Sequence, residues 1–242
     1  MDGDEYAGIE AAHKLIEKYG AGEFAGRLII VPTVNMAGFK NNSSRNPEDD
    51  RFPKNIFPGH ERGSPSERLI HWLNCNYVTQ ADAWLDLHGG ALTERLTPFL
   101  WCYRTGVAAV DALSEKFYKA SGADIVLLQK AGMLSGMFSK ARMLAKRKKP
   151  CVYAMAESGE RGERNTQDIE RHLRWTEILM QQLGMLPAAP REQAPETAQR
   201  VLHHIAYVYA GDQAPDTTRG TVLWHDEATA PRKGDIIYGI GY

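Results

Sequence analysis

The apolar residues of this chain fall into two spacings that alternate along it. In residues 6–19 they recur at three- and four-residue steps, with Ile9, Ala12, Ile16 and Tyr19 on one face and Gly20 as a stop, which predicts a helix. RLIIVP at 27–32 is a short run rich in Ile and Val, ended by proline, and reads as a buried strand. A long polar loop follows, from about 35 to 64. Ser64, Pro65 and Glu67 then open a helix that runs to about 76, with a capping serine, a first-turn proline and a glutamate three residues after the cap.

Apolar runs at 83–88 (AWLDLH), 98–103 (PFLWCY), 125–128 (IVLL) and 151–157 (CVYAMAE) predict further strands. Helical periods at 107–120, in a stretch ending in the basic run KRKK (146–149), and at 167–183 lie between and after them. Strands that are apolar on both faces and alternate with helices predict an α/β fold, with a mostly parallel mixed sheet and helices on both faces. After Leu186 the texture changes to PAAPREQAPETAQ, a linker by composition. RVLHHIAYVYA, GTVLWH and GDIIYGIGY then read as β-prone runs without a helical period. The expected organisation is a catalytic domain over 1–186 and, over 187–242, a linker with a small all-β C-terminal domain lacking a closing strand.

Composition narrows the partners. Lys and Arg total 29 against 30 Asp and Glu, a net charge of −1, so no whole-chain field points to nucleic acid or an anionic membrane. No apolar stretch has the length of a membrane span, and no charged start with an apolar core reads as a signal peptide, which makes the cytoplasm the default expectation. Three cysteines without C-x-x-C spacing give no disulfide framework; Cys102 and Cys151 sit in apolar runs as small hydrophobes.

Chemistry is expected where strands end, because open α/β sheets bind ligands beyond their carboxyl edges. LDLHGG ends a strand at His88 with two glycines behind it, and AMAESGERG ends another at Glu157. At the opening of the chain, MDGDE places Asp2 and Glu5 three residues apart ahead of the first helix. Carboxylates at that spacing with a distant histidine form the ligand pattern of a catalytic zinc, and a separate glutamate then serves as base for the attacking water. His203 and His204 alternate to opposite faces of a β run and are not expected to share a metal. KRKK reads as a solvated helix end, the five tryptophans as core and interface aromatics, and GGALTERLTPF after His88 as a substrate-side loop.

Five motifs in order then carry a family resemblance: GDE before a small-residue helix, RNPEDD…FPG (45–59), SERLI (66–70), DLHGG (86–90), and ESG (157–159) followed by a long helix ending LGML (183–186). The chain resembles the succinylglutamate desuccinylase and aspartoacylase family, whose fold is that of the zinc carboxypeptidases. The resemblance implies zinc on Glu5 and His88, Glu157 as the general base for attack on an amide carbonyl, and Arg45 as the cation that polarises that carbonyl and holds the oxyanion.

Three departures accompany it. Asp2 stands where the family motif H-G-D-E has histidine, so a second anionic ligand would neutralise more of the ion's charge. Lys54 and Asn55 stand where the family grips a substrate carboxylate with an asparagine and an arginine, exchanging a bidentate fork for a point charge. The chain also begins inside the metal motif, without the strands that precede it in relatives, and reads either as N-terminally shortened or as a gene product with a mis-assigned start. The expected activity is zinc-dependent hydrolysis of the amide bond of an N-acyl amino acid or similar small amide. The alternative is a catalytically impaired relative that keeps the fold and binds a small molecule or partner. Neither the acyl group nor the oligomeric state is legible.

Overall fold

The structure is a computed structural model that describes residues 1–22, 24–130, 140, 143–144, 146–147, 151–188, 199–208, 219–225 and 236–240, with backbone alone for residue 95 and the last strands from 204 onward. Its helices are α1 (Tyr6–Tyr19), α2 (Met36–Lys40), α3 (Pro65–Asn76), α4 (Ala108–Ala120) and α5 (Thr166–Gln182). Its strands are β1 (Ala83–His88), β2 (Glu94–Leu96), β3 (Phe99–Arg104), β4 (Ile125–Lys130), β5 (Val152–Glu157), β6 (Arg200–Leu202), β7 (His204–Val208), β8 (Arg219–His225) and β9 (Ile236–Ile240).

Five strands form a mixed sheet in the order β1-β5-β3-β4-β6. β1 and β5, β3 and β4, and β4 and β6 pair parallel, while β3 and β5 pair antiparallel. Strand alternation divides the core in two. Leu100, Cys102, Val126, Leu128, Ala154 and Ala156 meet Phe117 of α4 and Trp175 and Leu179 of α5 on one face. Trp101, Tyr103, Leu127, Tyr153 and Met155 meet Ile70 and Leu73 of α3, with Leu144, on the other. The site lies on this second face.

Several expectations shift in detail. α1 forms over the predicted residues, but its buried stripe is Ala7, Gly8, Ala11, Ala12, Leu15 and Tyr19, and Ile16 is 41% exposed. Small residues set that face because α1 lies directly on β1: a Cβ on Gly8 would stand 3.0 Å from the Leu87 Cβ. RLIIVP forms no strand. Leu28 and Ile30 pack on Leu15, Tyr19 and Met180, while Ile29 and Val31 face outward, so the run's alternation serves one-sided packing without a ladder partner among the described residues. Trp72 is 52% exposed rather than core, resting edge-on against Tyr77. Cys102 and Cys151 are buried as expected.

RVLHHIAYVYA divides between two sheets. β6 extends the main sheet beside β4, and β7 belongs to an antiparallel sheet of order β2-β9-β8-β7. β2 comes from the loop after His88, so that segment contributes Glu94, Arg95 and Leu96 to pairing with β9. The linker at 189–198 and most of the helical stretch before KRKK, with Lys148 and Lys149, lie outside the described residues.

The long polar loop is held by polar contacts. The Asp49 carboxylate accepts from Ser64 Oγ at 2.6 Å, Ser66 N at 2.8 Å and Ser66 Oγ at 2.7 Å, on top of the predicted capping box of Ser64 and Glu67. This ties the loop to the start of α3. A 3-10 turn over Pro53–Asn55 then presents Lys54 to the carboxyl edge of the sheet.

Candidate metal centre

His88 and Glu157 are register partners at the ends of β1 and β5, so the pleat sends both side chains to the same face. Two residues earlier on β1, Asp86 shares that face. The HGG turn follows because a Cβ on Gly89 would stand 2.6 Å from the Ser158 carbonyl oxygen, and the Ser158 amide donates to the His88 carbonyl at 2.9 Å. MDGDE reaches the same place from the other side. A Cβ on Gly3 would collide with the backbone of Gly38 and Phe39, so only glycine lets this segment lie against α2. Asp4 accepts from Ser44 Oγ at 2.7 Å, which leaves Asp2 and Glu5 turned toward His88.

Asp2, Glu5 and His88 offer three ligand atoms that all lie within 4.8 Å of one another, and all three residues are buried. His88 Nδ1 donates to Glu5 Oε2 at 2.7 Å, and the Gly89 amide donates to the same oxygen at 3.2 Å. His88 Nε2 faces Asp86 Oδ2 at 3.3 Å, without hydrogen-bond geometry. Burial alone would push the His88 imidazole down, but the Glu5 and Asp86 carboxylates raise it to about 10. Burial likewise opposes ionisation of Glu5, yet the charge and hydrogen bond of His88 bring it to about 2. The imidazolium therefore supplies the positive charge that holds these carboxylates together.

Asp2 is the unfinished donor. Its Oδ2 accepts from Lys54 Nζ, while its Oδ1 is buried with no hydrogen-bond partner among the described residues. A partnerless buried carboxylate oxygen, a carboxylate three residues away and an imidazole nitrogen facing both fit a divalent cation of zinc type. Glu157, buried beside them, is pushed up to about 8 first by burial and then by the Glu5 and Asp2 carboxylates, against the lowering effect of His88 and Lys54.

The other expected residues stand farther out. Arg45 is exposed; its Nη1 donates to Asp50 O at 2.7 Å and to Asp50 Oδ2 at 3.3 Å, and its guanidinium lies 4.3 Å from the Phe52 ring centroid. Lys54 approaches the same ring at 5.6 Å, so both cations lie near Phe52. Asn55 is exposed at the end of its turn and donates its amide to the Phe52 carbonyl at 3.0 Å. The structure thus joins Asp2, Glu5, His88, Glu157 and Lys54, and leaves Arg45 and Asn55 on the loop that borders them.

Residues 1–182 of the 242 match the succinylglutamate desuccinylase/aspartoacylase catalytic domain. The chain belongs to that family. Among characterised relatives, an N-alpha-acetyl-L-2,4-diaminobutyric acid deacetylase from Halomonas elongata is 36% identical over 97 residues, which cover 40% of this chain and 28% of that protein. Solved structures share the fold. A succinylglutamate desuccinylase/aspartoacylase from Rhodobacter sphaeroides superposes with a TM-score of 0.72 at 23% identity, over 100% of this chain and 83% of that one. The ectoine utilization protein EutE (DoeB) from Ruegeria pomeroyi, in a product-bound structure, gives 0.72 at 22% identity over 99% and 74%. The relatives of this chain thus include a protein named as a deacetylase.

Sequence reasoning missed three participants. Asp86 lay inside the quoted DLHGG motif, and its position two residues before His88 was the signal that it shares the face. Lys140 had none: it is fully buried, its Nζ lies 3.3 Å from Asp86 Oδ2 and 3.4 Å from Tyr153 Oη, and the rings of Phe57, Trp84 and Tyr153 surround it at 5.1, 5.3 and 5.5 Å. Glu94, expected only as part of a substrate-side loop, accepts from the Ala91 amide at 2.8 Å, and burial, with Glu5 and Asp2, raises it to about 7.

Proposed function

We propose that this chain is a zinc-dependent hydrolase acting on the amide bond of an N-acyl amino acid or a similar small amide, with Asp2, Glu5 and His88 as the metal ligands. The observation that carries the reading is the pairing of a three-donor cluster with a separate buried carboxylate, Glu157, at the end of the neighbouring strand. Zinc at that cluster would supply Lewis acidity toward a water molecule and a carbonyl. Glu157 takes the proton of the attacking water and returns it to the leaving amine. It must be ionised to do so, and a cation on the three ligands favours that form by offsetting the carboxylates that raise it.

Arg45 is assigned to the oxyanion and Lys54 with Asn55 to the substrate carboxylate. Their shared loop borders the site, and Arg45 would leave its Asp50 and Phe52 contacts to turn inward. Residues 1–186 are the catalytic unit in this reading, and 187–242 the linker and small β unit. The deacetylase activity named for the Halomonas relative makes N-acetylated amino acids the first substrates to test. A second reading, a catalytically impaired relative, is favoured by one observation: Asp2 occupies a ligand position and is already bound to Lys54.

The test is Glu157→Gln, with zinc content and turnover on a panel of N-acyl amino acids measured for both forms. The expected outcome is unchanged zinc content and a loss of roughly a hundredfold or more in turnover. Stoichiometric zinc in the wild type with no turnover on any substrate would favour the second reading.

A further inference from the structure

Lys54 meets Asp2 at its Oδ2, and a carboxylate oxygen of Asp2 converges with ligand atoms of Glu5 and His88 within 4.8 Å. The ammonium thus stands at a metal ligand, carrying the kind of charge a metal ion would carry. Its side chain is 18% exposed and sits on a short turn, whereas the Asp2 side chain is 1% exposed and fixed by the MDGDE segment. Of the two partners, Lys54 is the one free to leave.

We infer that Lys54 is a swinging internal cation that competes with the metal for Asp2, and that a carboxylate-bearing ligand draws it off, so that metal and carboxylate binding reinforce each other. This rests on the metal site proposed above and deepens it. With Asp2 engaged by Lys54, a metal ion must displace the ammonium or accept a weakened ligand. A carboxylate at the mouth of the site offers the displaced ammonium a new partner, with the Phe52 ring 5.6 Å away as a surface along which the charge remains stabilised. Anything that holds Lys54 outward frees Asp2 for the metal, and a metal on Asp2 holds Lys54 outward. By linkage the two effects are equal. In this chain the Asp2 and Lys54 substitutions are then two halves of one device.

The experiment measures zinc affinity of the full chain by competition with a chromophoric chelator, for wild type, Lys54→Met and Asp2→His, with and without N-acetylalanine. Lys54→Met is expected to bind zinc at least about tenfold more tightly than wild type, the size of losing one partly buried competing ion pair. N-acetylalanine is expected to tighten zinc binding severalfold in wild type and less in Lys54→Met, where only direct ligation by the carboxylate remains. Lys54→Gln repeats the measurement, and the rise in Tm on adding zinc gives a second readout for both variants. Unchanged or weaker zinc binding in Lys54→Met and Lys54→Gln, or equal coupling to N-acetylalanine in every form, would overturn the inference while leaving the hydrolase reading standing. Absence of zinc binding in all forms, Asp2→His included, would remove both.

Discussion

Asp86 and Asp2 are both buried aspartates bound to a lysine within one site, yet they are completed to different degrees. Asp86 Oδ2 faces Lys140, the Tyr153 hydroxyl and His88 Nε2, and the lysine is enclosed by three aromatic rings. Asp2 has Lys54 on one oxygen, and its other oxygen has no partner among the described residues. The first pair is a closed network whose carboxylate lies 3.3 Å from the far edge of the His88 imidazole. The second leaves a donor unspent. A site needs both: a rigid support that orients the ligand ring and an open valence that can take a guest.

The electrostatics follow the same division. Burial opposes the ionisation of Asp86, but His88 and Lys140 hold it well below the usual carboxylate range. Asp2 moves upward, through burial and the Glu5 carboxylate, despite Lys54. The closed aspartate is committed to its charge, and the open one retains the option of a proton.

Breaking the closed pair should have the largest effect. Lys140→Met removes the ammonium from the buried Asp86 pair, leaving His88 and the amino terminus as its charged neighbours, and urea unfolding should show a loss of about 3 kcal/mol. A loss below about 1 kcal/mol would mean that Asp86 is supported without the lysine.

A second buried histidine sharpens the contrast with His88. His172 Nε2 donates to the Ser158 carbonyl oxygen at 2.8 Å, its Nδ1 has no partner among the described residues, and burial lowers it to about 4. The unfolded chain takes up this proton near pH 6.5 and the folded chain near 4, so the unfolded state binds more protons between those values. Stability attributable to His172 should therefore be complete above about pH 6.5 and fall by about 3 kcal/mol in all as pH drops to 4. His172→Gln keeps a donor for Ser158 and should flatten that part of the stability profile; an unaltered slope would place the acid sensitivity elsewhere.

Asp86→Asn tests the link between support and site. It removes the charge behind His88 Nε2 and should weaken zinc binding by about 10–100-fold. Equal affinity would show that the ring is oriented by packing alone. The smallest effect is expected on the open side: Lys54→Met in metal-free protein should cost only about 1 kcal/mol, because Asp2 can take up a proton, and zinc should restore the loss. A cost as large as that of Lys140→Met would erase the distinction between the two pairs.

The elements that carry the site were legible in the sequence where the information is local. Apolar runs ending in His88 and Glu157 become β1 and β5, Ser64, Pro65 and Glu67 open α3, and MDGDE with its single fitting glycine delivers two carboxylates. RLIIVP shows the limit of that logic, because an apolar run states that something will cover it without stating whether a strand or a helix will. The pairing of β6 with β4 and of β2 with β9 joins segments whose own composition says nothing of the partner.

What the sequence alone determined here is which donor residues are available and the strand ends that carry them, since residue type and period-two alternation are properties of short stretches. Only the tertiary structure decided which charges are closed and which are open. Lys54 reaches Asp2 across 52 positions and Lys140 reaches Asp86 across 54, and two lysines of identical chemistry differ only in what folds around them. Aromatic enclosure surrounds one; the other sits on a short turn, 18% exposed. That difference is a matter of solvent access and available partners, which no local pattern of residues encodes.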